Sequence, residues 1–408
     1  MTTKGTRKVG LLVVGAASRA NSLLPILVRM PDVRILGLAE PLAARRQKTL
    51  AALQPLAKKP IVQAADYREL LDLPGLDAVL ALGSWNSHVQ VCLDAMNAGK
   101  YAATEVGGAC TLHECWQLVQ ASESNRTPCM MLENCCYGRA EMMVLNMVKM
   151  GLFGELIHAQ CGYRHDLRVL AKQQYHFRLD HNLHRNGDLY LTHGVGPVMQ
   201  WLGINHGNRF LAIRSTASKA VGWEDFISHN QVPDKSLRGK RFAMGDVISS
   251  TITCAHGETV DVHHCISLPG PYSRCGRLDG TKGCYSEDRG GCWLEGLSAS
   301  PEQYDSMERL YPKYDHPMWR KYSARGIQPD SHGGMDFLVL GAFIDAVKKR
   351  TDTPINVYDT ATLMALSVLS EESVALGGQP VPIPDFTKGK WLEDTSLPIN
   401  TSKQGATK

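Results

Sequence analysis

The clearest chemical signal in the sequence is a tyrosine and a histidine, Tyr190 and His193, that lie three residues apart within residues 185–197, directly before glycines and a proline. If the chain enters a helix there, the phenol and the imidazole share one face of it, and the glycines let another group approach the backbone closely. Either side chain can act as a general acid or base, but neither can carry out redox chemistry unaided. The pair predicts a proton-handling site that needs a cofactor or a substrate clamp, although an isolated pair of this kind is often only a satisfied buried pair.

The first forty residues have the pattern of a dinucleotide-binding unit. Val9–Gly15 is a continuous apolar run that ends in glycine, and a second run, Val33–Ala39, ends in Glu40, after a segment with helical spacing. In a Rossmann unit of this order, the helix N-terminus holds the pyrophosphate and the acid binds the ribose hydroxyls. The predicted cofactor contacts here are Gly15, Ala17, Ser18, Arg19 and Glu40.

The cofactor predicted from this unit is NAD. Glu40 favours NAD over NADP because a carboxylate repels a 2′-phosphate, whereas Arg45 and Arg46 keep NADP open. The turn keeps only the first of the usual three glycines, so a plain α/β unit is the alternative. Loops at the carboxyl ends of later strands face the same crevice. They add three candidate contacts: Trp85, His88 and Glu105.

The length of 408 residues and the change of pattern along the chain predict two domains. The fold class is α/β, with an N-terminal Rossmann dinucleotide-binding domain at 1–130 and a C-terminal α+β domain at 131–378. Apolar–polar alternation, for example in Leu156–Arg164 and Phe210–Ala217, predicts a mostly antiparallel sheet in the second domain. Residues 379–408 are predicted to form a proline-rich polar tail over the surface. Two long polar segments, Arg168–Arg185 and Leu297–Arg325, are predicted to be functional loops or subunit contacts.

Composition argues against several classes of protein. The formal net charge of +4 is spread over charges of both signs, so we expect no nucleic-acid partner. No apolar run reaches membrane-spanning length and no leader is recognisable, which predicts a cytoplasmic protein without a membrane partner. A chain whose leader had been removed would look the same. The twelve cysteines form no Cys-x-x-Cys block and are predicted to be mostly buried thiols in a reducing compartment.

Neither a metal nor a cysteine nucleophile is expected. The pairs His181/His184 and His263/His264 are not joined by a recognisable third ligand. Cys135 and Cys136 have no identifiable base to activate them.

The N-terminal unit, followed by Glu105, resembles the glucose-fructose oxidoreductase and inositol dehydrogenase group. That group usually has Glu-Lys-Pro where this chain has Glu105, Val106 and Gly107. The catalytic lysine of an ordinary sugar dehydrogenase is therefore missing, which argues against simple alcohol oxidation.

Longer motifs resemble a narrower family, glycoside hydrolase family 109, the NAD-dependent α-N-acetylgalactosaminidases. The resemblance extends from about Gly10 to Trp391, with Leu191 where the family usually has proline. The motifs that carry it are Met131–Arg139, Tyr163–Arg168, Asn186–Pro197, Pro271–Arg274, Gly280–Gly283, Gly333–Phe337 and Pro384–Phe386.

The resemblance implies a reaction without the usual pair of catalytic carboxylates. Tightly held NAD+ removes hydride from C3 of the sugar, and the resulting ketone acidifies the hydrogen at C2. A base removes that hydrogen, the glycoside leaves by elimination, water adds at C1 and the hydride returns to C3, so NAD+ is not consumed.

The resemblance also implies roles for individual residues. His193 is the base for the C3 hydroxyl, and Tyr137 is the base at C2. Tyr190 and Tyr272 assist proton transfer or bind the sugar, Arg178 holds hydroxyls or the acetamido group, and Glu105 lies between substrate and cofactor.

Two other functions stay open at this stage. A sugar dehydrogenase or epimerase of the wider group would release NADH, and a regulator that senses nucleotides would keep the fold without catalysis. Neither the anomeric preference nor the aglycone follows from the sequence. A sheet with one face uncovered by helices predicts a homo-oligomer.

Overall fold

The computed structural model describes residues 7–57, 59–324 and 332–393. The chain divides into two compact units, one from the described parts of Met1–Tyr137 and Gly326–Ala361 and the other from those of Gly138–Arg325 and Thr362–Lys408. This division differs from the boundaries predicted from chain order, 1–130, 131–378 and 379–408, because the segment that ends at Ala361 returns to the first unit.

The first unit has a parallel sheet in which strands and helices alternate along the chain. Its elements are β1 (Val9–Val14), α1 (Ser18–Arg29), β2 (Val33–Ala39), α2 (Ala43–Leu53), β3 (Val62–Ala64), a 3-10 helix (Tyr67–Leu70), β4 (Ala78–Ala81), α3 (Trp85–Asn97), β5 (Tyr101–Thr104), α4 (Leu112–Asn125), β6 (Cys129–Met131) and a second 3-10 helix (Asn134–Tyr137). The six strands are ordered β3-β2-β1-β4-β5-β6, so the order reverses between β1 and β4. This is the Rossmann arrangement, and the predicted fold of this part is confirmed.

Burial and capping explain the local structure of this unit. Strand β1 is buried along its whole length, as expected for a central parallel strand covered on both faces. Helix α4 begins at a capping box, in which Glu114 N donates to Thr111 Oγ1 (3.2 Å) and Thr111 N donates to Glu114 Oε2 (2.9 Å). These contacts satisfy backbone donors that an uncapped first turn would leave open.

The second unit is built around a nine-stranded sheet. The remaining elements in chain order are α5 (Arg139–Lys149), β7 (Leu156–Arg164), a 3-10 helix (Arg168–Lys172), α6 (Phe177–His184), α7 (Thr192–Trp201), β8 (Phe210–Ala217), α8 (Gly222–His229), a 3-10 helix (Lys235–Leu237), β9 (Ile248–Cys254), β10 (Thr259–Cys265), β11 (Arg277–Gly280), β12 (Gly283–Ser286), β13 (Gly291–Leu294), β14 (Asp305–Ser306), α9 (Met307–Tyr314), α10 (Pro317–Ala324), α11 (Met335–Lys349), α12 (Val357–Ala375), β15 (Val381–Pro382) and a 3-10 helix (Lys390–Leu392). Helix α11 belongs to the first unit, and the division between the units falls inside α12.

The order of the large sheet is β14-β13-β12-β11-β7-β10-β9-β8-β15. Its pairings are antiparallel except for β7 and β10, which run parallel. The predicted mostly antiparallel sheet is confirmed, and the parallel pair at its centre was not foreseen.

Three segments differ from the prediction. The polar segments predicted as loops contain helices α6, α9 and α10, and Arg325 lies outside the described residues. Residues 379–393 are not a surface tail, because β15 pairs with β8 and the side chains of Ile383 and Phe386 are buried. A strand of two residues carries no periodic signal, since its hydrogen bonds depend on the edge that it meets. Residues 394–408 lie outside the described part of the chain.

Two further predictions concern cysteines and membranes. Within the described residues, which include all twelve cysteines, there is no disulfide, and most of the cysteines are buried. Among the helices of the described segments, none combines the length and the apolar character needed to cross a membrane.

Candidate active site

In the first unit, Gly15 forms the turn between β1 and α1. Its φ is +106°, and a Cβ added there would lie 2.7 Å from the amide nitrogen of Gly83. Both the backbone conformation and the close approach therefore require glycine. Ala17 and Ser18 follow at the start of α1, at the carboxyl end of β1, where a Rossmann unit holds a pyrophosphate.

Glu40 lies at the carboxyl end of β2, where the sequence placed a contact to a ribose. Its side chain is buried, and its two oxygens accept from Ala16 N (2.9 Å) and Leu42 N (3.1 Å). Each carboxylate oxygen can accept a second hydrogen bond, so contact with ribose hydroxyls stays compatible with this geometry. The guanidinium of Arg46 donates to the carbonyl oxygen of Glu40.

Arg19, another predicted cofactor contact, is bound to two carboxylates. Its Nε donates to Glu105 Oε1 (2.8 Å), and its Nη1 and Nη2 donate to the two oxygens of Asp336 (2.9 and 2.8 Å). Burial opposes the charge of Arg19, but the nearby Glu105 and Asp336 hold its pKa above the usual value. Asp336 on α11 was not predicted as a site residue.

The sequence predicted that Trp85 and His88 lie in a loop, but both lie in the first turn of helix α3. Both are buried, and the ring nitrogens of His88 lie 3.3 Å from the carbonyl oxygen of Gly107 and 3.2 Å from that of Gly83. Burial lowers the pKa of His88, so the ring is neutral at neutral pH. A neutral ring can donate to only one of these two carbonyl oxygens. The predicted contact of His88 with a cofactor stays a prediction.

The loop after β5 departs from the Glu-Lys-Pro pattern in its backbone as well as its side chains. Gly107 has a φ of +77°, which proline cannot adopt, and a Cβ there would lie 2.7 Å from Trp85 Nε1. Val106 is buried, as is Glu105 before it. The loop is therefore a different structure, packed against the start of α3.

Tyr137 ends the last 3-10 helix of the first unit and is fully buried. Burial, reinforced by the neighbouring Cys136, raises the pKa of its phenol well above the usual value. The phenol is therefore held protonated in the structure as it stands.

In the second unit, His193 is brought to strand β7 by a contact between glycines. A Cβ added to Gly194 in α7 would lie 2.6 Å from the amide nitrogen of Gly162 in β7. The backbone of the helix therefore lies directly on the backbone of the strand. The sequence predicted that another group approaches the backbone at the glycines after His193. In the structure that group is strand β7 of the same unit.

Tyr190 and His193 are adjacent in space, as their spacing predicted. Helix α7 begins only at Thr192, so Tyr190 lies in the preceding turn, yet its hydroxyl is 3.2 Å from His193 Nε2. The buried Asp188 fixes that turn, because its Oδ1 accepts from Tyr190 N (3.0 Å).

Tyr163 on β7 is the centre of an aromatic cluster. Ring centroids lie 4.6 Å away for Tyr190, 5.5 Å for His193 and 5.9 Å for Tyr272. The hydroxyl of Tyr163 is 2.9 Å from His165 Nδ1. Burial, together with the nearby Arg178, lowers the pKa of His165.

Arg178 and Tyr272 complete the predicted substrate contacts. The guanidinium of Arg178 lies over the Tyr190 ring, 4.0 Å from its centroid. Burial opposes its charge, but Tyr190 and Tyr163 raise its pKa, so Arg178 stays charged. Tyr272 is 45% exposed, more than Tyr163 or Tyr190, which are both buried.

Sequence reasoning missed Tyr163, His165, His264 and Asp188 as parts of the site. Tyr163 lies near the end of β7, and His165 follows directly after the strand. His264 on β10 is paired with Tyr163 in register, with 6.5 Å between the ring centroids. Strand alternation could have placed Tyr163 and His165 on one face. The partner strand could not be foreseen. His263 and His264 are adjacent on a strand, so they point to opposite faces and do not form a joint ligand pair.

The combination of a Rossmann unit and a second unit with a large, mostly antiparallel sheet is a two-domain α/β fold that solved dehydrogenases and oxidoreductases also have. A levoglucosan dehydrogenase, solved in complex with NADH and levoglucosan, superposes with a TM-score of 0.72 at 16% identity, over 93% of this chain and 100% of that chain. An NAD-binding oxidoreductase from Klebsiella pneumoniae gives 0.74 at 14% identity, over 92% and 99%. At these identities the likeness shows the fold alone.

Sequence comparison shows the family. Residues 137–393 match the glycosyl hydrolase 109 C-terminal domain. A glycosyl hydrolase family 109 protein of Stenotrophomonas maltophilia (strain K279a) is 36% identical over 95% of this chain and 91% of its own length. An alpha-N-acetylgalactosaminidase of Tannerella forsythia is 36% identical over 93% and 86%. The chain belongs to glycosyl hydrolase family 109, a family of glycosidases, and the resemblance found in the sequence is confirmed.

Proposed function

We propose that this protein is a glycosidase that hydrolyses N-acetylgalactosaminides, with α-linked substrates preferred and NAD as a catalytic cofactor. The observation that carries the proposal is the 3.2 Å contact between Tyr190 and His193 within a cluster of phenols, imidazoles and a guanidinium. These groups move protons and bind hydroxyls, whereas most glycosidases rely on paired carboxylates. The Tannerella forsythia relative supports the choice of sugar.

The geometry of the first unit supports a dinucleotide site. Gly15 has a φ of +106° in the turn between β1 and the N-terminus of α1, and Glu40 lies buried at the end of the adjacent strand β2. The residues proposed to hold NAD are Gly15, Ala17, Ser18, Arg19 and Glu40, with Trp85 and His88 in the first turn of α3 and Glu105 at the end of β5. When bound, NAD+ supplies the reversible removal of hydride from C3 of the sugar, which makes the hydrogen at C2 acidic.

The residues of this chain then move the protons. His193 takes the proton of the C3 hydroxyl, and Tyr190 orients the imidazole through its hydroxyl. Arg178 donates to hydroxyls or to the acetamido group, and Tyr272 presents an exposed ring on which a sugar can stack. Glu105 is proposed to lie between substrate and cofactor.

Tyr137 is the proposed base at C2. Tyr137 would accept the C2 proton as the phenolate and so become the neutral phenol, the form that burial favours because it raises the pKa of Tyr137. Burial then keeps the phenol protonated, so Tyr137 holds a proton that can return to C2 when water adds at C1. The cytoplasmic location and the homo-oligomer stay predictions from the sequence.

The test is hydrolysis of an aryl α-N-acetylgalactosaminide in deuterated water, followed by NMR of the released sugar. Deuterium at C2 supports oxidation and elimination. Hydrogen retained at C2 would leave a glycosidase with another mechanism, and absence of release would favour the sugar dehydrogenase or epimerase. We expect His193→Ala to abolish turnover with NAD still bound, and Tyr137→Phe to block exchange at C2 while hydride transfer survives.

A further inference from the structure

Arg274, in the segment between β10 and β11, contacts two glutamates of the second unit. Its Nη2 donates to Glu141 Oε1 on α5 and lies 3.5 Å from Oε1 of Glu287, which follows β12. The side chains of Arg274 and Glu141 are 14% and 6% exposed. A buried carboxylate needs a partner of this kind, and the charged hydrogen bond in turn fixes the place of the guanidinium.

The same guanidinium also contacts Tyr272, a predicted substrate contact. Nη1 of Arg274 donates to the hydroxyl of Tyr272 at 3.3 Å, and the guanidinium carbon lies 5.8 Å from the centroid of the ring. Stability alone is a weak explanation for a buried ion pair, because taking both charges out of water offsets much of their attraction. The contact with Tyr272 gives the pair of Arg274 and Glu141 a second role, since it connects the interior of the unit to an exposed aromatic ring.

Tyr272 is held at its backbone and its ring as well as at its hydroxyl. The next residue, Ser273, exchanges two backbone hydrogen bonds with Arg164 at the end of β7 (2.9 and 3.0 Å). The ring lies edge-to-face against His165, with 5.0 Å between the centroids. Tyr272 is nevertheless 45% exposed. An exposed aromatic side chain that folding has already ordered binds a ligand with a smaller loss of conformational entropy.

We infer that Arg274 is a positioning residue which, held by Glu141 and Glu287, fixes the Tyr272 ring in the orientation that contacts the sugar. The inference deepens the proposed function and rests on it, because it takes Tyr272 to be a substrate contact. Ordering one free side chain on binding weakens affinity roughly three- to tenfold. Arg274 therefore acts on the binding of substrate, through Tyr272, and not on the proton transfers at C2 and C3.

The experiment compares KM and kcat of the full-length protein and its variants on an aryl α-N-acetylgalactosaminide. Arg274→Lys keeps a positive charge for the two glutamates but lacks the planar fork that reaches a glutamate and the phenol at once. We expect KM to rise roughly three- to tenfold, with kcat close to that of the wild type, because the lost contact supports binding equally in the ground state and the transition state. An unchanged KM would overturn the inference.

A double-mutant cycle shows whether Arg274 acts through the phenol. Tyr272→Phe keeps the ring but removes the hydroxyl that accepts from Arg274. If Arg274 acts through that hydroxyl, the double variant should have the KM of Tyr272→Phe alone, since the second substitution removes no further contact with the phenol. A merely structural role would make the KM factors of the two single variants multiply, and that result would overturn the inference.

The matched control is Asp315→Asn. Asp315 is a buried carboxylate of the same unit, and its Oδ2 lies 2.7 Å from Nη2 of Arg139 on α5. The variant therefore weakens another ion pair with a buried carboxylate and should lower the stability in denaturant while KM stays at the wild-type value. A KM increase equal to that of Arg274→Lys would show that loss of stability alone raises KM, which would overturn the inference.

Circular dichroism reports whether each variant folds. If Arg274→Lys does not fold, Glu141→Gln decides the question, because a neutral amide holds the guanidinium less firmly than a carboxylate. Glu141→Gln should raise KM in the wild-type background but not in the Tyr272→Phe background, and an equal rise in both backgrounds would overturn the inference.

The outcomes separate this inference from the proposed function. A wild-type protein that neither releases sugar from the aryl glycoside nor binds N-acetylgalactosamine in calorimetry would show that the proposed function itself is wrong. A wild-type protein that hydrolyses the glycoside, together with an Arg274→Lys variant of unchanged KM, would overturn the role of Arg274 while the glycosidase stands.

Discussion

Gly194 of helix α7 lies against Gly162 of strand β7 so closely that a Cβ on Gly194 would be 2.6 Å from the Gly162 amide nitrogen and 2.7 Å from its carbonyl oxygen. Because the helix touches the strand without an intervening side chain, His193 lies 5.5 Å from the Tyr163 ring between centroids. Because Gly194 and Gly162 have no side chains, the helix can approach the strand closely enough to place the His193 imidazole beside Tyr163.

Gly194→Ala should therefore lower both stability and activity. The added methyl group meets backbone atoms that cannot rotate away, so α7 must shift outward, at a cost of about 1–3 kcal/mol in the free energy of unfolding. Denaturant unfolding and turnover of the aryl glycoside measure the two effects. The matched control is Gly341→Ala in α11, where a Cβ meets no atom within 4 Å, and which we expect to be neutral or stabilising by up to about 1 kcal/mol. Equal behaviour of the two variants would contradict the close contact.

Tyr190→Phe should reduce kcat on the order of a hundredfold while leaving the fold intact. The substitution removes the hydroxyl 3.2 Å from His193 Nε2 but keeps the ring beneath Arg178 and beside Tyr163. Steady-state kinetics should show the loss mainly in kcat, with little change in KM. Tyr175→Phe, at a side chain that is 65% exposed, serves as the control and should behave as wild type. A fully active Tyr190→Phe would remove this hydroxyl from the proton pathway.

Asp188→Ala should lower kcat/KM more than Asp188→Asn. The carboxylate is buried and its Oδ1 accepts from Tyr190 N, so alanine releases the turn that places the Tyr190 ring, whereas asparagine keeps an oxygen acceptor. We expect a loss of at least about tenfold for alanine, which corresponds to about 1.4 kcal/mol. Comparable activity of the alanine variant and the wild type would show that the turn holds without this bond.

Stability should decrease as the pH is lowered from about 6.5 to 4, in part because of His316. Burial, helped by the nearby Lys149, lowers the pKa of this histidine to about 4, whereas a histidine in the unfolded chain titrates near 6.5. Between these values the unfolded state binds more protons, so the free energy of unfolding falls as the pH falls, by up to about 3 kcal/mol.

Replacing His316 separates this contribution from other titrations. His316→Asn keeps an acceptor for Met318 N, to which Nδ1 is now bound at 3.2 Å, but does not titrate. Its unfolding free energy should depend less on pH between 4 and 6.5 than that of the wild type. An unchanged slope in His316→Asn would exclude His316 as a source of the pH dependence.

Local patterns in the sequence predicted most of the strands and helices of the fold. The apolar run Val33–Ala39 is β2 to the residue, and the alternation in Leu156–Arg164 and Phe210–Ala217 matches β7 and β8. These patterns follow from burial on one or both faces of a strand, which depends on the periodicity of the chain itself. The spacing of Tyr190 and His193 likewise predicted a contact that the structure contains, even though α7 begins two residues after Tyr190.

Contacts between distant segments were decided only by the tertiary structure. Asp336 binds Arg19 across 317 residues of sequence, and His264 faces Tyr163 because β10 pairs with β7 in one particular register. Periodicity shows which face of an element is buried, but not which partner covers it. That choice depends on the summed packing and hydrogen bonding of the whole unit, in which each of these side chains contributes a small part. The sequence by itself therefore determined the Rossmann pattern and the Tyr190–His193 pair, and tertiary packing decided which charges and rings surround them.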